Sequence, residues 1–335
     1  MHEYLRKKWF YFLLLLLALV FPLFGPSRLI FTMLILSGIW SIATLGLNLI
    51  LGYTGQASLA HGAFFGIGAY AVGIMTTRLG LSFWIALPLA SFLCAAIGFL
   101  IGLPTLRTKG AYFAISTLAF GIIVFIIAGN WSDLTGGHMG LPAIPRPNPI
   151  PLPLAGEISF TSPAARYYLV LFFLLLTLWV MHRVVFSLQG YSFMAIRNNE
   201  NLAEAVGINT FRNKLLSFMV ANFFAGLAGG LYAMQLGALS PFITHHVLTF
   251  NLIIYLILGG VATLAGPIIG AITVPFIVDA LFAIGPYRMV IFGVLLIVSI
   301  IYFPRGLMGG LTSLWNRTAD YYRHRKDGVR HAAES

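Results

Sequence analysis

The sequence predicts an all-α, polytopic membrane protein of about ten transmembrane helices, some broken or glycine-rich, with both termini cytoplasmic. Three observations predict it. Hydrophobic residues make up 59% of the chain and charged residues 9%, with a mean hydropathy of +0.91, more apolar surface than a water-soluble domain can bury. Apolar stretches close to the ~20 residues that cross a bilayer recur along the 335 residues. Basic residues fall unevenly between alternate loops. No backbone donor can stay unpaired in lipid, and barrel-type alternation is absent, so the spans are helices.

The expected spans have cores at 9–25, 29–51, 58–77, 83–103, 111–129, 167–186, 215–236, 247–264, 266–284 and 288–303. With the amino terminus inside, fifteen basic residues fall inside: Arg6, Lys7, Lys8, Arg107, Lys109, Arg183, Arg197, Arg212, Lys214, Arg305, Arg317, Arg323, Arg325, Lys326 and Arg330. Five fall outside: Arg28, Arg78, Arg146, Arg166 and Arg288. That imbalance follows the positive-inside rule. It also accounts for the net charge of +11 without nucleic acid, because the basic residues flank spans instead of forming one patch. The tail 317–335 adds a basic cytoplasmic segment able to touch anionic lipid, and residues 1–316 form the membrane domain.

The first apolar run, Trp9 to Phe24 behind Arg6-Lys7-Lys8, has the pattern of a signal peptide, and Gly25-Pro26-Ser27 supplies small residues where cleavage would occur. We read it as an uncleaved anchor. Cleavage would leave the orientation of the other spans unchanged. The single cysteine, Cys94, excludes an intrachain disulfide and a cysteine-based metal site.

Two hydropathy breaks are long. The first, 130–166, holds seven of the sixteen prolines and is expected to be an extended, polyproline-like external loop, either lying on the outer rim or serving as a connector. The second, 188–214, is inside and reads as two short helices. Phe193, Ile196, Ala203 and Val206 share a stripe by their spacing, and Arg197, Glu200 and Glu204 occupy more polar sides. Asn199 is the expected N-cap and Gly207 the stop of the second helix. Such an amphipathic hairpin suits a groove on a partner protein or the headgroup layer.

Small residues recur at four-residue spacing at Gly62 and Gly66, Gly98 and Gly102, Gly226 and Gly230, and Gly266 and Gly270, which is expected to serve close helix packing. The stretches Gly52-Tyr53-Thr54-Gly55-Gln56-Ala57-Ser58 and Gly259-Gly260-Val261-Ala262-Thr263-Leu264-Ala265-Gly266-Pro267 interrupt strong spans in both halves. Paired interruptions are expected where helices break beside a substrate path.

Ionisable groups within spans are scarce. Asp279 is the one acidic residue deep in an expected span, and should face the interior or a wet cavity. One carboxylate is a thin basis for proton coupling. His61 is the one histidine well inside a span and reads as packed or hydrogen-bonded. No HExxH, nucleophile elbow or metal-spaced His/Cys cluster occurs, and His245-His246 are adjacent, so no catalytic or metal site is expected. Gly102 to Lys109 lacks the second glycine and the Ser/Thr of a Walker A loop. Energy for uphill transport must therefore come from another polypeptide or an ion gradient, and no cofactor is expected.

The stretch from Leu47-Asn48-Leu49 through Gly52-Tyr53-Thr54-Gly55-Gln56-Ala57-Ser58-Leu59-Ala60-His61-Gly62 to Tyr70 resembles the signature of LivM-type permeases of branched-chain amino acid ABC importers. Arg107-Thr108-Lys109-Gly110-Ala111-Tyr112, Thr135-Gly136-Gly137-His138-Met139-Gly140-Leu141, and Ala195-Ile196-Arg197 through Glu204-Ala205-Val206-Gly207 agree with it in order and content. The resemblance implies a multi-pass subunit of the bacterial inner membrane without ATPase activity. Its implied partners are a second, LivH-like permease, two cytoplasmic ATP-binding subunits and an external solute-binding protein. It further implies that Arg197, Asn198, Glu200, Glu204, Ala205 and Gly207 couple to the ATPase. For the translocation path we expect Gly55, Gln56, Ser58 and His61 with their neighbours Asn48 and Gly62, where broken, glycine-rich backbone presents polar groups without a fixed charge. Thr135, Gly136, Gly137 and Gly140 would form either a backbone nest for a carboxylate or a turn where the binding protein docks. The substrates of related permeases include branched-chain and other amino acids, urea and small aromatic acids. An ion-coupled secondary transporter is the alternative from another class.

Overall fold

The computed structural model describes residues 19–24, 27–152, 156–281, 287, 290–291, 293–294, 297–298, 301 and 306–309. The expected first span, 9–25, and last span, 288–303, lie wholly or partly outside the described residues, as do Arg6-Lys7-Lys8 and the tail 317–335.

The described residues are predominantly helical. Helix α1 (Arg28–Leu47) passes into a π-helical turn at Asn48–Tyr53, and α2 (His61–Thr77), α3 (Phe83–Thr105), α4 (Ala111–Asn130) and α5 (Pro163–Val185) follow. The hairpin α6 (Leu188–Asn198) and α7 (Glu200–Ala205) leads into α8 (Thr210–Leu236), α9 (His246–Gly259) and α10 (Gly266–Ala280). Among the described residues five helices are long and apolar enough to cross a membrane: Arg28–Tyr53, α3, α4, α5 and α8.

Local chemistry sets the starts of these helices. Ser27, Ser162 and Asn209 cap α1, α5 and α8, each side-chain oxygen accepting from the backbone N–H three residues on. Proline follows Ser162 at the first helical position, where its missing N–H costs nothing.

Helix α8 is the hub, packed on α3, α2 and α1. Its buried Ala221, Ala225, Gly226, Ala228, Gly229, Gly230 and Ala233 let neighbouring backbones approach closely. The four-residue glycine pairs of α3 and α8 face each other's helix: a Cβ at Gly98 would stand 2.7 Å from Asn222 Nδ2, and one at Gly226 would stand 2.6 Å from Cys94 Sγ. Gly62 and Gly66 receive Thr249 and Thr244 in the same way. The packing role expected of these pairs is therefore met. By contrast, α4 and α5 are the outer helices, with 22% and 28% of their apolar windows buried against 72% for α8.

Two expectations are corrected. The proline-rich loop is not wholly polyproline-like, because β1 (Ile150–Leu152) and β2 (Gly156–Ile158) pair antiparallel, Pro151 opposite Glu157. A two-stranded ribbon has free edges on both sides, so a proline without an N–H fits there. The helix expected at 247–264 stops at Gly259, where Gly260 turns the chain at φ 129°. Asp279, expected to face the interior or a wet cavity, is exposed in the last turn of α10.

The helix ends form two distinct groups. One end gathers Gly55, Lys109, the α6–α7 hairpin and Lys214. The other gathers the loop after α4, whose Leu141 bridges Leu239. There Arg78 donates to the Asp133 carbonyl, and Trp84 Nε1 donates to the Asn148 carbonyl at 3.0 Å. The loop 130–166 thus lies along the rim of the helical body.

Candidate functional site

The two glycine-rich interruptions meet. After Tyr53 the chain leaves the π-helical turn and runs without helix through Thr54–Ala60 before α2 begins. Buried backbone that leaves a helix needs substitute partners, and hydroxyls supply them. Thr54 Oγ1 donates to the Leu49 carbonyl at 2.9 Å and lies 2.7 Å from Ser217 Oγ. Leu59 N donates to Thr117 Oγ1 at 3.0 Å, Gly62 N donates to Thr249 Oγ1 at 2.8 Å, and that hydroxyl donates to the Leu59 carbonyl at 3.1 Å. The second interruption, between α9 and α10, is held to the first by one side chain. Asn48 Nδ2 donates to the Thr263 carbonyl at 2.7 Å, while its Oδ1 accepts from Ala262 N at 2.9 Å.

Within this region Gly55 and Ala57 are exposed, Gln56 is half-buried, and Ser58, His61 and Gly62 are buried. His61 Nε2 lies 2.8 Å from the Ala43 carbonyl. A carbonyl only accepts, so Nε2 carries the proton and Nδ1 of the neutral ring is left as an acceptor. That Nδ1 and Ser58 Oγ are both buried without a partner among the described residues, so each has capacity for a water or a polar solute.

The hairpin packs directly on this segment. A Cβ at Gly55, whose φ is +76°, would stand 3.0 to 3.2 Å from the Arg197 backbone and side chain. Only glycine lets α6 sit so close at that backbone angle. Asn199 Oδ1 accepts from Leu202 N at 3.1 Å, capping α7. Helix α7 closes with Ile208 N on the Ala203 carbonyl and Gly207 N on the Glu204 carbonyl, both 3.0 Å, with Gly207 at φ +87°. This is a Schellman stop, and both termini fall where the residue types predict. Phe193, Ile196 and Ala203 are buried as expected, but Val206 is 70% exposed. Helix α7 ends at Ala205, so the helical period no longer governs where Val206 points.

Glu200 faces the body of the protein. Its carboxylate sits 2.8 Å from Lys214 Nζ and 3.4 Å from Lys109 Nζ, joining α7 to α8 and to the α3–α4 loop. Burial alone would raise its pKa, but the two ammonium groups outweigh it and hold the carboxyl below its ordinary value. Glu204 Oε1 accepts from Thr210 Oγ1 at 2.6 Å. The outward side carries Arg197, Asn198, Ala205 and Gly207 beside Leu188, Leu202 and Val206, all exposed.

At the opposite end, Thr135 Oγ1 lies 2.7 Å from the Ala128 and Trp131 carbonyls, and Gly137 N donates back to it at 3.2 Å. Gly136 N and Gly140 N donate to Ser132 and Gly137 carbonyls. With those three amides occupied, the stretch is built as a turn, with Met139 at its exposed tip, and not as an open nest.

Residues 29–300 match the family described as branched-chain amino acid transport system / permease component. The chain belongs to that family. Over 320 residues it is 33% identical to the high-affinity branched-chain amino acid transport system permease protein LivM of Escherichia coli K12, covering 90% of this chain and 75% of the relative. It is 26% identical to a probable LivM of Methanocaldococcus jannaschii, over 84% and 93% of the two chains. It is also 25% identical to LivH of Salmonella typhimurium, over 82% and 92%. No solved structure matches.

Several residues that hold this permease component's site together were missed by sequence reasoning. Thr117 and Thr249 are isolated hydroxyls in apolar helices, which was the available signal. Lys214, only 2% exposed, gave none, since a lysine at the end of an expected span is equally explained by topology.

Proposed function

We propose that this chain is the LivM-like permease subunit of an ATP-driven importer of branched-chain amino acids in a bacterial inner membrane. It pairs with a LivH-like permease, two cytoplasmic ATP-binding subunits and an external solute-binding protein. Ten spans with both termini inside place the α6–α7 hairpin in the cytoplasm and the 130–166 loop outside, where the Thr135–Gly140 turn faces the binding protein. The chain contributes positioning and movement, while the partners supply ATP hydrolysis.

The reading is carried by the packing of Arg197 on Gly55. A rigid lever seated on the ATPase through Arg197, Asn198, Ala205 and Gly207, and tied to the helical body by Glu200 and Glu204, abuts the broken segment directly. ATP-driven closure that shifts the hairpin then shifts Gly55, Gln56 and Ser58, and Asn48 carries the movement to the break at Ala262 and Thr263. Differential contact of the ATPase with the two hairpin positions drives the change. In the path, Ser58 Oγ and His61 Nδ1 offer polar capacity without fixed charge, suited to passing a zwitterion that the external protein has already selected.

Arg197→Glu tests this. We expect normal membrane insertion, several-fold less ATP-binding subunit co-purifying with the permease, and a matching loss of ATP-dependent leucine, isoleucine and valine uptake. Unchanged assembly and uptake would remove the coupling assignment. Uptake driven by an ion gradient in the absence of the ATP-binding subunits would instead establish a secondary transporter.

A further inference from the structure

Three of the five arginines that the charge count leaves outside converge. Arg28 at the start of α1, Arg146 in the 130–166 loop and Arg166 in the first turn of α5 line one cavity of about 220 Å³ with Thr32, Thr161 and Pro163. Their known partners are neutral: Arg146 Nη1 donates to the Thr161 carbonyl at 3.1 Å, and Arg166 Nη1 to Gln235 Oε1 at 2.9 Å. Arg166 Nε is buried with no acceptor among the described residues. Among the described residues, ion pairs are confined to Glu200 at the far end, so no described carboxylate compensates the three guanidinium groups. Like charges that share a cavity repel, and their planar donor forks match the oxygens of a phosphate.

The surroundings indicate where that phosphate comes from. Beside Arg28, Leu29 is 64% exposed. Tyr167 and Tyr168 pack at 5.6 Å beside Arg166, and Phe31 meets Tyr167 at 6.4 Å. Tyr167 and Phe31 are buried, but the half-buried Tyr168 and the exposed Leu29 stand at helix ends, where a tyrosine beside apolar surface marks the level at which hydrocarbon gives way to headgroups. We propose that this cavity is a phosphate site that holds the headgroup of an anionic phospholipid of the outer leaflet, tying the starts of α1 and α5 to the proline-rich loop. A net negative headgroup is preferred over a zwitterionic one, because the charge to be compensated is threefold.

Native mass spectrometry of the assembled transporter in detergent tests the proposal, with phosphatidylglycerol, phosphatidylcholine or inorganic phosphate added separately. The expected result is retained phosphatidylglycerol adducts, few phosphatidylcholine adducts, and roughly tenfold weaker retention in R28Q/R146Q, which loses two of the three charges. Both residues are exposed, so the double variant should still assemble. R166K, which keeps charge but not the fork, should be intermediate. Equal retention of both lipids, or retention unchanged in R28Q/R146Q, would overturn the site. Thermal protection by inorganic phosphate without retained lipid would assign the cavity to a free anion and overturn the headgroup assignment.

Discussion

Glu200→Ala is expected to unseat the α6–α7 hairpin and destabilise its docking by roughly 3 kcal/mol, the lower end of the cost of stripping one partner from a buried ion pair. Lys214 has a side chain only 3% exposed, and Glu200, at 18%, is its ion-pair partner in the structure. Removing the carboxylate leaves an ammonium group in a site it cannot leave without opening the contact between α7 and α8. Lys109 is 60% exposed and can return to water, so Lys109→Ala should have a small effect. The measurement is limited proteolysis of the 188–209 segment alongside uptake. Rapid cleavage with lost transport is expected for Glu200→Ala, and near wild-type behaviour for Lys109→Ala. Because the folded carboxyl titrates below 4.5, the pair's contribution is complete above that value. It is lost as pH falls through the lower, folded value. Protease resistance should therefore hold from neutral pH down to about 4.5 and fall below it. Resistance that instead declines between neutral pH and 5 would mean another group controls docking.

The second large effect is expected at Asn48. Asn48→Leu fills the space but removes both hydrogen bonds between the helix breaks, leaving Ala262 N–H and the Thr263 carbonyl to find other partners. At about 1–3 kcal/mol for each unsatisfied buried group, the loss is on the order of 2–4 kcal/mol after partial hydration. The hairpin is untouched, so the ATP-binding subunits should still co-purify while uptake falls sharply. Arg197→Glu should show the reverse order, with assembly failing first. Normal uptake by Asn48→Leu would show that the link between the breaks plays no part in transport.

How much of this was legible in the sequence depended on the range of the interaction. Asn199 and Gly207 declared the ends of α7, because a cap and a stop act within one turn. The stripe Phe193, Ile196 and Ala203 was readable for the same reason, and Val206 was misplaced because the period was extended past the helix it belonged to. The two broken stretches were visible as Gly and Pro within apolar runs. Their joining by Asn48 was not, since the partners are 214 and 215 residues apart. The Lys109, Glu200 and Lys214 cluster draws on three segments, and no local pattern announces it. Strands β1 and β2 were hidden by a proline density that ordinarily argues against pairing. The convergence of Arg28, Arg146 and Arg166 was likewise invisible to a count that treated each as a flank of its own span.

Side-resolved cysteine labelling tests the central claim most directly. The one native thiol, Cys94, is buried, so a cysteine placed at Val206 or Met139, 70% and 97% exposed, reports without background. In intact cells a membrane-impermeant maleimide should label Met139→Cys and leave Val206→Cys untouched, and Val206→Cys should react only after the inner membrane is opened. Labelling of Val206→Cys from outside would place the hairpin beyond reach of any cytoplasmic ATPase and contradict the account.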